Sequence, residues 1–270
     1  MTKSEKNKSP YGEEVMMKLV RYLRMLALSA TVVVSFSAVA VAGPFRLRIE
    51  DLGSGQGAVI TDNGAGDSNS TLGVITFSGS LPGGFIVNVT TGLSKPVLGA
   101  AGAEMDLNSV NVQTIGAGTL RITLEDTSFT DGIGQVSFLG GVGGTLNAPA
   151  GSSATFNTWV NPSNLVPTLG PDTNPAGALP LIGGIPAGSI AAFGGGVSFG
   201  PGAYSATAGV PFIVSGPFAM FSQATISFTG QGSVSFDLDS HDAPEPSSMI
   251  LLGTGLLGMV AWVRRKAYSN

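Results

Sequence analysis

The sequence has no cysteine, one histidine and only 11% charged residues, less than half the roughly 25% of an ordinary soluble protein. Without cysteine there is no disulfide, no thiolate metal site and no thiol nucleophile, and an oxidising compartment does the chain no harm. Zinc sites built on histidine and cysteine are excluded by number. A Ser-His-Asp triad would have to use His241, which sits three residues before a Pro-Glu-Pro tripeptide, where a solvated linker residue is expected. Basic residues are scarcest in the middle: from Gly43 to Ala243 there are 4 (Arg46, Arg48, Lys95 and Arg121) against 13 acidic ones, a net charge of −9. That excess repels phosphate backbones, so no nucleic-acid partner is expected. The same segment also lacks a sustained 3.6-residue apolar stripe with caps, the mark of an amphipathic helix.

What is abundant is glycine, with 36 of the 40 glycines falling between Gly43 and Ala243. Short runs of period two are set among them. Phe45, Leu47 and Ile49 alternate with Arg46, Arg48 and Glu50, and Leu120, Ile122 and Leu124 with Arg121, Thr123 and Glu125. Phe85, Val87 and Val89 repeat the pattern, and Ile226 and Phe228 lead through Gly230-Gln231-Gly232 into Val234, Phe236 and Leu238, as a hairpin would. Half-buried strands joined by Gly/Asn/Asp turns predict an all-β fold over 43–243, an antiparallel β-sandwich of jelly-roll type. No fixed-period repeat points to a solenoid. Prolines at 149, 162, 167, 171, 175, 180, 186 and 201 predict a Pro/Gly-rich insertion of long loops over about 140–202. Phe156, Trp159 and Phe193 are the residues there suited to packing or binding.

The ends differ from the middle. Lys18, Arg21 and Arg24 precede an apolar stretch, Met25 to Ala42, that closes on Ala40-Val41-Ala42 before Gly43. Basic n-region, apolar h-region and small residues at −3 and −1 predict a signal peptide over 1–42, with the true start at Met16 or Met17 and signal peptidase cutting after Ala42. No cysteine follows it, so a lipoprotein anchor is not expected. At the other end Pro244-Glu245-Pro246 precedes an uncharged run from Ser247 to Val263, then Arg264-Arg265-Lys266. Seventeen residues of helix reach about 26 Å, just enough for a single transmembrane helix over 247–263 with the basic trio left cytoplasmic.

Tripeptide, glycine-containing apolar helix and basic stop, in that order, resemble the PEP-CTERM sorting signal. The resemblance covers a tenth of the chain. It implies that Pro244, Glu245 and Pro246 form the recognition element of a tail over 244–270, cut by the membrane enzyme exosortase, and that Arg264, Arg265 and Lys266 are the stop. It also implies export across the inner membrane of a Gram-negative bacterium, transient anchoring, and delivery to the cell surface or the extracellular medium.

For the middle segment the expected role is structural and non-enzymatic. A carbohydrate-binding or adhesive module, with Trp159 stacking on a sugar ring of an extracellular polysaccharide, is the alternative, and a polysaccharide-acting enzyme a further one. Glu50/Asp51 and Glu125/Asp126 are sequence neighbours and face opposite sides of a strand, so a two-carboxylate site would need carboxylates from distant strands. Asp62-Asn63-Gly64-Ala65-Gly66-Asp67-Ser68-Asn69 offers oxygen ligands for calcium, with Asp62 and Asp67 the candidates, or forms an ordinary turn. No other cofactor is expected.

Overall fold

The computed structural model describes residues 45–81, 83–98, 103–130, 134–167, 184–244 and 254–255. The signal-peptide residues Ala40, Ala42 and Gly43 and the tail residues Glu245, Pro246, Arg264, Arg265 and Lys266 lie outside them, as does nearly all of the expected membrane helix. Among residues 45–244 that are described, every regular element is a strand.

Thirteen strands follow in chain order: β1 (Arg46–Asp51), β2 (Gln56–Thr61), β3 (Val74–Ser80), β4 (Phe85–Leu93), β5 (Glu104–Thr114), β6 (Gly118–Phe129), β7 (Gly134–Asn147), β8 (Ser153–Asn161), β9 (Ile190–Ala191), β10 (Val197–Phe199), β11 (Gly202–Val214), β12 (Phe218–Phe228) and β13 (Gly232–Pro244). They form two sheets, with every pairing antiparallel. The first runs β10-β8-β12-β6-β1-β2, with β9 beside β8; the second runs β11-β7-β13-β5-β4-β3. One apolar core lies between them. Leu47 and Ile49 of β1, Leu120, Ile122 and Leu124 of β6, and Ala224 and Ile226 of β12 meet Val110 and Val112 of β5 and Val234, Phe236 and Leu238 of β13. Phe156 is fully buried among Phe199, Tyr204 and Phe236, with ring centroids 5.1–6.2 Å away. Period-two alternation thus performs its usual task, sending one side of each strand inward.

Three expectations need correction. The Ile226–Leu238 stretch is not a hairpin: β12 pairs with β6 and β8, while β13 pairs with β5 and β7 in the other sheet. Gly230-Gln231-Gly232 therefore carries the chain across the sandwich, and both flanking strands are central. A turn signal between alternating runs fixes neither case, because pairing is decided by partners far away in sequence.

The expected insertion over 140–202 is also smaller. β7 runs on through Asn147, β8 lies wholly inside the span, and β9 and β10 border its end. Glycine does not break β7 because neighbours demand it: a Cβ on Gly141 would stand 2.3 Å from Asp239 Oδ1, and one on Gly144 2.3 Å from the Ser235 carbonyl oxygen. Pro149 occupies the turn before β8 and Pro201 the residue before β11, where no ladder bond is lost. Among the described residues of the span, the longest pieces outside strands are 162–167 and 184–189; residues 168–183 lie outside the described residues.

Finally, His241 is not on a tether. It stands in β13 opposite Leu139 and Glu104, with Nδ1 3.4 Å from Asp239 Oδ2. The folded domain runs to the first residue of the Pro-Glu-Pro motif.

Candidate functional site

The face of the first sheet turned away from the core carries the chain's densest polar chemistry. Alternation sends Arg46, Arg48 and Glu50 of β1 to that side, and ladder register aligns them with residues from four other strands. One row across the sheet reads Trp159, Phe221, Glu125, Arg46, Thr61; the next Asn157, Gln223, Thr123, Arg48, Val59; the third Thr155, Thr225, Arg121, Glu50, Gly57. With strands roughly 5 Å apart and same-face residues roughly 7 Å apart, this grid spans roughly 20 by 14 Å.

Aromatic rings occupy one corner. Trp159 and Phe221 stack with centroids 5.1 Å apart and planes 16° from parallel; Phe221 is fully buried and Trp159 half-buried. Charge occupies the rest. Arg46 Nη2 lies 2.8 Å from Glu125 Oε1, Arg121 Nε donates to Glu50 Oε2 at 2.9 Å, and Arg48 Nη1 donates to Glu50 Oε1 at 3.4 Å. Three of the four basic residues between Gly43 and Ala243 are thus gathered on one face.

The lattice is incompletely bonded. Arg46 Nε, Arg48 Nε and Arg121 Nη2 are buried with no hydrogen-bond partner among the described residues, and so are both carboxylate oxygens of Glu125. The Arg46 contact supplies charge to Glu125 from a poor direction. Burial pushes the Glu125 carboxyl up to about 7 despite the attraction of Arg46 and Arg48, and burial also lowers Arg48 from the usual guanidinium value. Replacing a buried ionic group of this kind by apolar side chains often stabilises a fold, so the lattice is poor stabilising material.

Asp126, the neighbour of Glu125, turns to the other side as expected. It accepts from Ser94 Oγ and Lys95 Nζ, each at 2.7 Å, while Lys95 Nζ also donates to the Thr127 carbonyl and lies 4.1 Å from the centre of the Phe129 ring. That group joins the β4 end to β6.

The loop holding Asp62 and Asp67 is tied by its own carboxylates. Asp67 accepts from the backbone N–H groups of Asn63 (3.0 Å), Asn69 (2.9 Å) and Thr76 (3.0 Å). Asp62 accepts from Gly73 N–H at 2.8 Å and from the Asn63 amide at 3.2 Å. Asn63 sits at φ 55°, the left-handed region asparagine tolerates. Among the described residues no group of three or more acidic or histidine side chains is arranged around a metal-sized space. Asp67→Ala is expected to cost about 1–3 kcal/mol, with or without calcium, because three backbone donors lose their acceptor. Denaturant titrations in calcium and in chelator test this. A calcium-dependent gain in the wild type, absent from the variant, would assign the loop an ion instead.

Register brings together Arg46, Arg48, Glu50, Arg121, Glu125, Trp159 and Phe221, a set that sequence reading alone did not assemble. The alternation placed Arg46, Arg48 and Glu50 on one face, and Arg121 and Glu125 on one face. It did not say that the two faces are the same, since β1 and β6 are separated by some seventy residues.

No curated protein matches the chain. Among solved structures it is similar to a chain described as TmCBM61 in complex with beta-1,4-galactotriose, at 8% identity and a TM-score of 0.27, over 60% of this chain and 88% of that one. The model of the PEP-CTERM protein-sorting motif matches residues 242–266. The match starts inside β13, where Asp242 N–H donates to the Ala103 carbonyl at 2.9 Å, and continues through the tripeptide to the basic stop. By that match the chain carries the PEP-CTERM sorting signal of exported, exosortase-processed proteins, on the end of a domain of two antiparallel sheets.

Proposed function

We propose that this is a non-enzymatic protein of the cell surface or extracellular matrix, whose β-sandwich binds extracellular polysaccharide through the outer face of its first sheet. One observation carries the reading: half-buried Trp159, stacked on Phe221, lies in the same ladder row as Arg46, whose side chain stays 15% exposed. A sugar ring offers an apolar C–H face to an aromatic side chain, and hydroxyl groups that both donate and accept. Half-buried Trp159 offers a ring to the first, and the part-exposed Arg46 and Arg121 guanidinium groups offer donors to the second. Delivery outside the cell by the tail would bring the face to such ligands.

Trp159→Ala should reduce affinity for the bound polysaccharide at least tenfold, a loss of about 1.4 kcal/mol, with little change in the melting midpoint because the ring is half-buried at the edge of the aromatic pair. Glycan-array binding of the processed protein, followed by titration with the best ligand, provides the measurement. Unchanged affinity would remove the aromatic corner from the site.

A polysaccharide-acting enzyme is a second reading, favoured by the pairing on one face of Glu125, held up near 7, with the ion-paired Glu50. A carboxyl raised by burial on the same face as one held by arginine resembles the division of roles glycoside hydrolysis uses. Release of reducing ends from a bound polysaccharide, abolished by Glu125→Gln, would establish it.

A further inference from the structure

We infer that the outer face of the second sheet carries, at its end away from the tail, a binding site for an uncharged sugar of a neutral glycan. This site is separate from the first-sheet face proposed above, and either can fail without the other.

Register builds it. Val87, Val112 and Val234 point into the core, so their neighbours Ile86, Gln113 and Ser233 point away from it. One ladder row on that side reads Asn147, Ser233, Gln113, Ile86 across β7, β13, β5 and β4. Three strand spacings make it roughly 15 Å long. The next row, Thr145, Ser235, Asn111, Asn88, is also free of charge. Gln231 from the β12–β13 crossing and Ile115 from the β5–β6 turn join the first row in lining a cleft of about 310 Å³. Unlike the arginine lattice, this surface is open. Gln113, Asn147 and Gln231 are exposed, and Ile86 and Ile115 stand 54% and 80% exposed.

The cleft gathers hydrogen-bonding capacity that the fold leaves unused. Elsewhere side-chain amides tie down loops: Asn161 bonds the Ala187 carbonyl and the Ser163 N–H, and Asn157 bonds the Gly194 carbonyl. The side chains of Gln113, Asn147 and Gln231 make no hydrogen bond among the described residues. Each amide presents donors and an acceptor, and Ser233 adds a hydroxyl, the complement of neighbouring sugar hydroxyls that donate and accept in turn. Ile86 and Ile115 supply apolar surface for the C–H face of a sugar ring. Among the described residues no charged side chain lines the cleft. The carboxylates of this face stand toward its other end, where Asp239 lies opposite Asp106 and His241 opposite Glu104, and they repel an anionic polymer. A peptide strand is a poorer occupant. β7, β13, β5 and β4 are interior strands with partners on both sides, so no sheet edge is free beneath the cleft for a strand to join.

The test uses isotope-labelled protein, exported and processed from the full chain. Its side-chain amide signals are followed by NMR during titration with oligosaccharides of dextran, galactomannan and xylan. The signals of Gln113, Asn147 and Gln231 should shift with at least one of these, and the shifts should persist in Trp159→Ala. Gln113→Glu keeps the size of the side chain, exchanges its donors for a negative charge, and should weaken that binding about tenfold. Its melting midpoint should stay at the wild-type value, because the Gln113 amide holds no described part of the fold. Amide signals that stay still with every oligosaccharide, or equal affinities of Gln113→Glu and the wild type, would overturn the inference. Shifts confined to the Trp159 side would also overturn it and leave the first-sheet reading standing. Cleft shifts together with an affinity that Trp159→Ala leaves unchanged would support this site and remove the other. The titration is made on the wild type, so it decides the matter even if a variant fails to fold.

Discussion

Replacing Glu245 with Ala should leave the protein at full length in the inner membrane, while the wild type appears outside the cell in shortened form. The reason is a division of labour within the tail. A lasting anchor needs only apolar length and flanking charge, and Ser247–Val263 with Arg264, Arg265 and Lys266 supplies both. Nothing in anchoring requires a carboxylate held between two prolines. Those prolines restrict the backbone on either side of Glu245 to extended conformations, which suits a cleft that grips a strand of substrate. The fold sharpens the expectation. β13 stays in its ladder through Pro244, opposite Val136, so the tripeptide begins where the ladder ends. Glu245 follows the last ladder pair in sequence, and the described strand pairings do not involve it. Export to the membrane and domain melting should therefore match the wild type, leaving processing as the variable. Intact mass of the extracellular protein provides the readout, and a chain beginning at Gly43 would at the same time establish the signal-peptide cut. If variant and wild type fractionate alike and both keep Arg264 to Lys266, the tail is an anchor and not a processed signal.

How far the sequence disclosed this arrangement depends on whether the deciding contacts were local. Alternation at Phe45–Glu50 and Leu120–Glu125 assigned inward and outward sides correctly, because a strand's facing repeats every two residues whatever its partners. The tail was legible for the same reason: its three parts are contiguous. Register was not legible, since it depends on which strands meet. The Gly230–Gly232 turn gave the same signal whether β12 and β13 paired with each other or crossed between sheets. Glycine in β7 looked like loop composition because its cause, the approach of Asp239 and Ser235, lies in a strand some hundred residues away. The charged sides of β1 and β6 looked solvent-facing, yet Arg48 is 2% exposed and Glu125 1%. Each run alone shows ordinary half-buried amphipathicity. Only when β1 docks beside β6, with β12 beyond it, do five charges fall within one grid.

Of those charges Glu125 should give the largest response to pH. Its carboxyl rises from 4.5 to about 7 on folding, with burial the leading cause and the charge of Glu50 adding to it, against the pull of Arg46 and Arg48. A raised acid binds its proton more tightly in the folded state. The folded protein therefore gains from this group below pH 4.5, where the side chain is protonated in both states without penalty, and loses stability as pH rises from 4.5 to 7. Well above 7 the full penalty applies, about 3 kcal/mol. Glutamine has the shape of the protonated acid and cannot ionise. Glu125→Gln should thus equal the wild type below pH 4.5 and exceed it by that amount at pH 8, with the gap opening across the interval between. The difference between variant and wild type is the quantity to follow, because Asp106, raised to about 6 chiefly by burial, bends the wild-type curve in the same direction at lower pH. Urea titrations of both proteins from pH 4 to pH 8 give the two curves. A variant less stable than the wild type at pH 8 would mean that the Arg46 contact outweighs burial and that Glu125 is held as a structural ion. A gain at pH 8 instead marks a buried carboxyl whose ionisation works against the fold, with the arginine contacts offsetting only part of the cost of burying its charge.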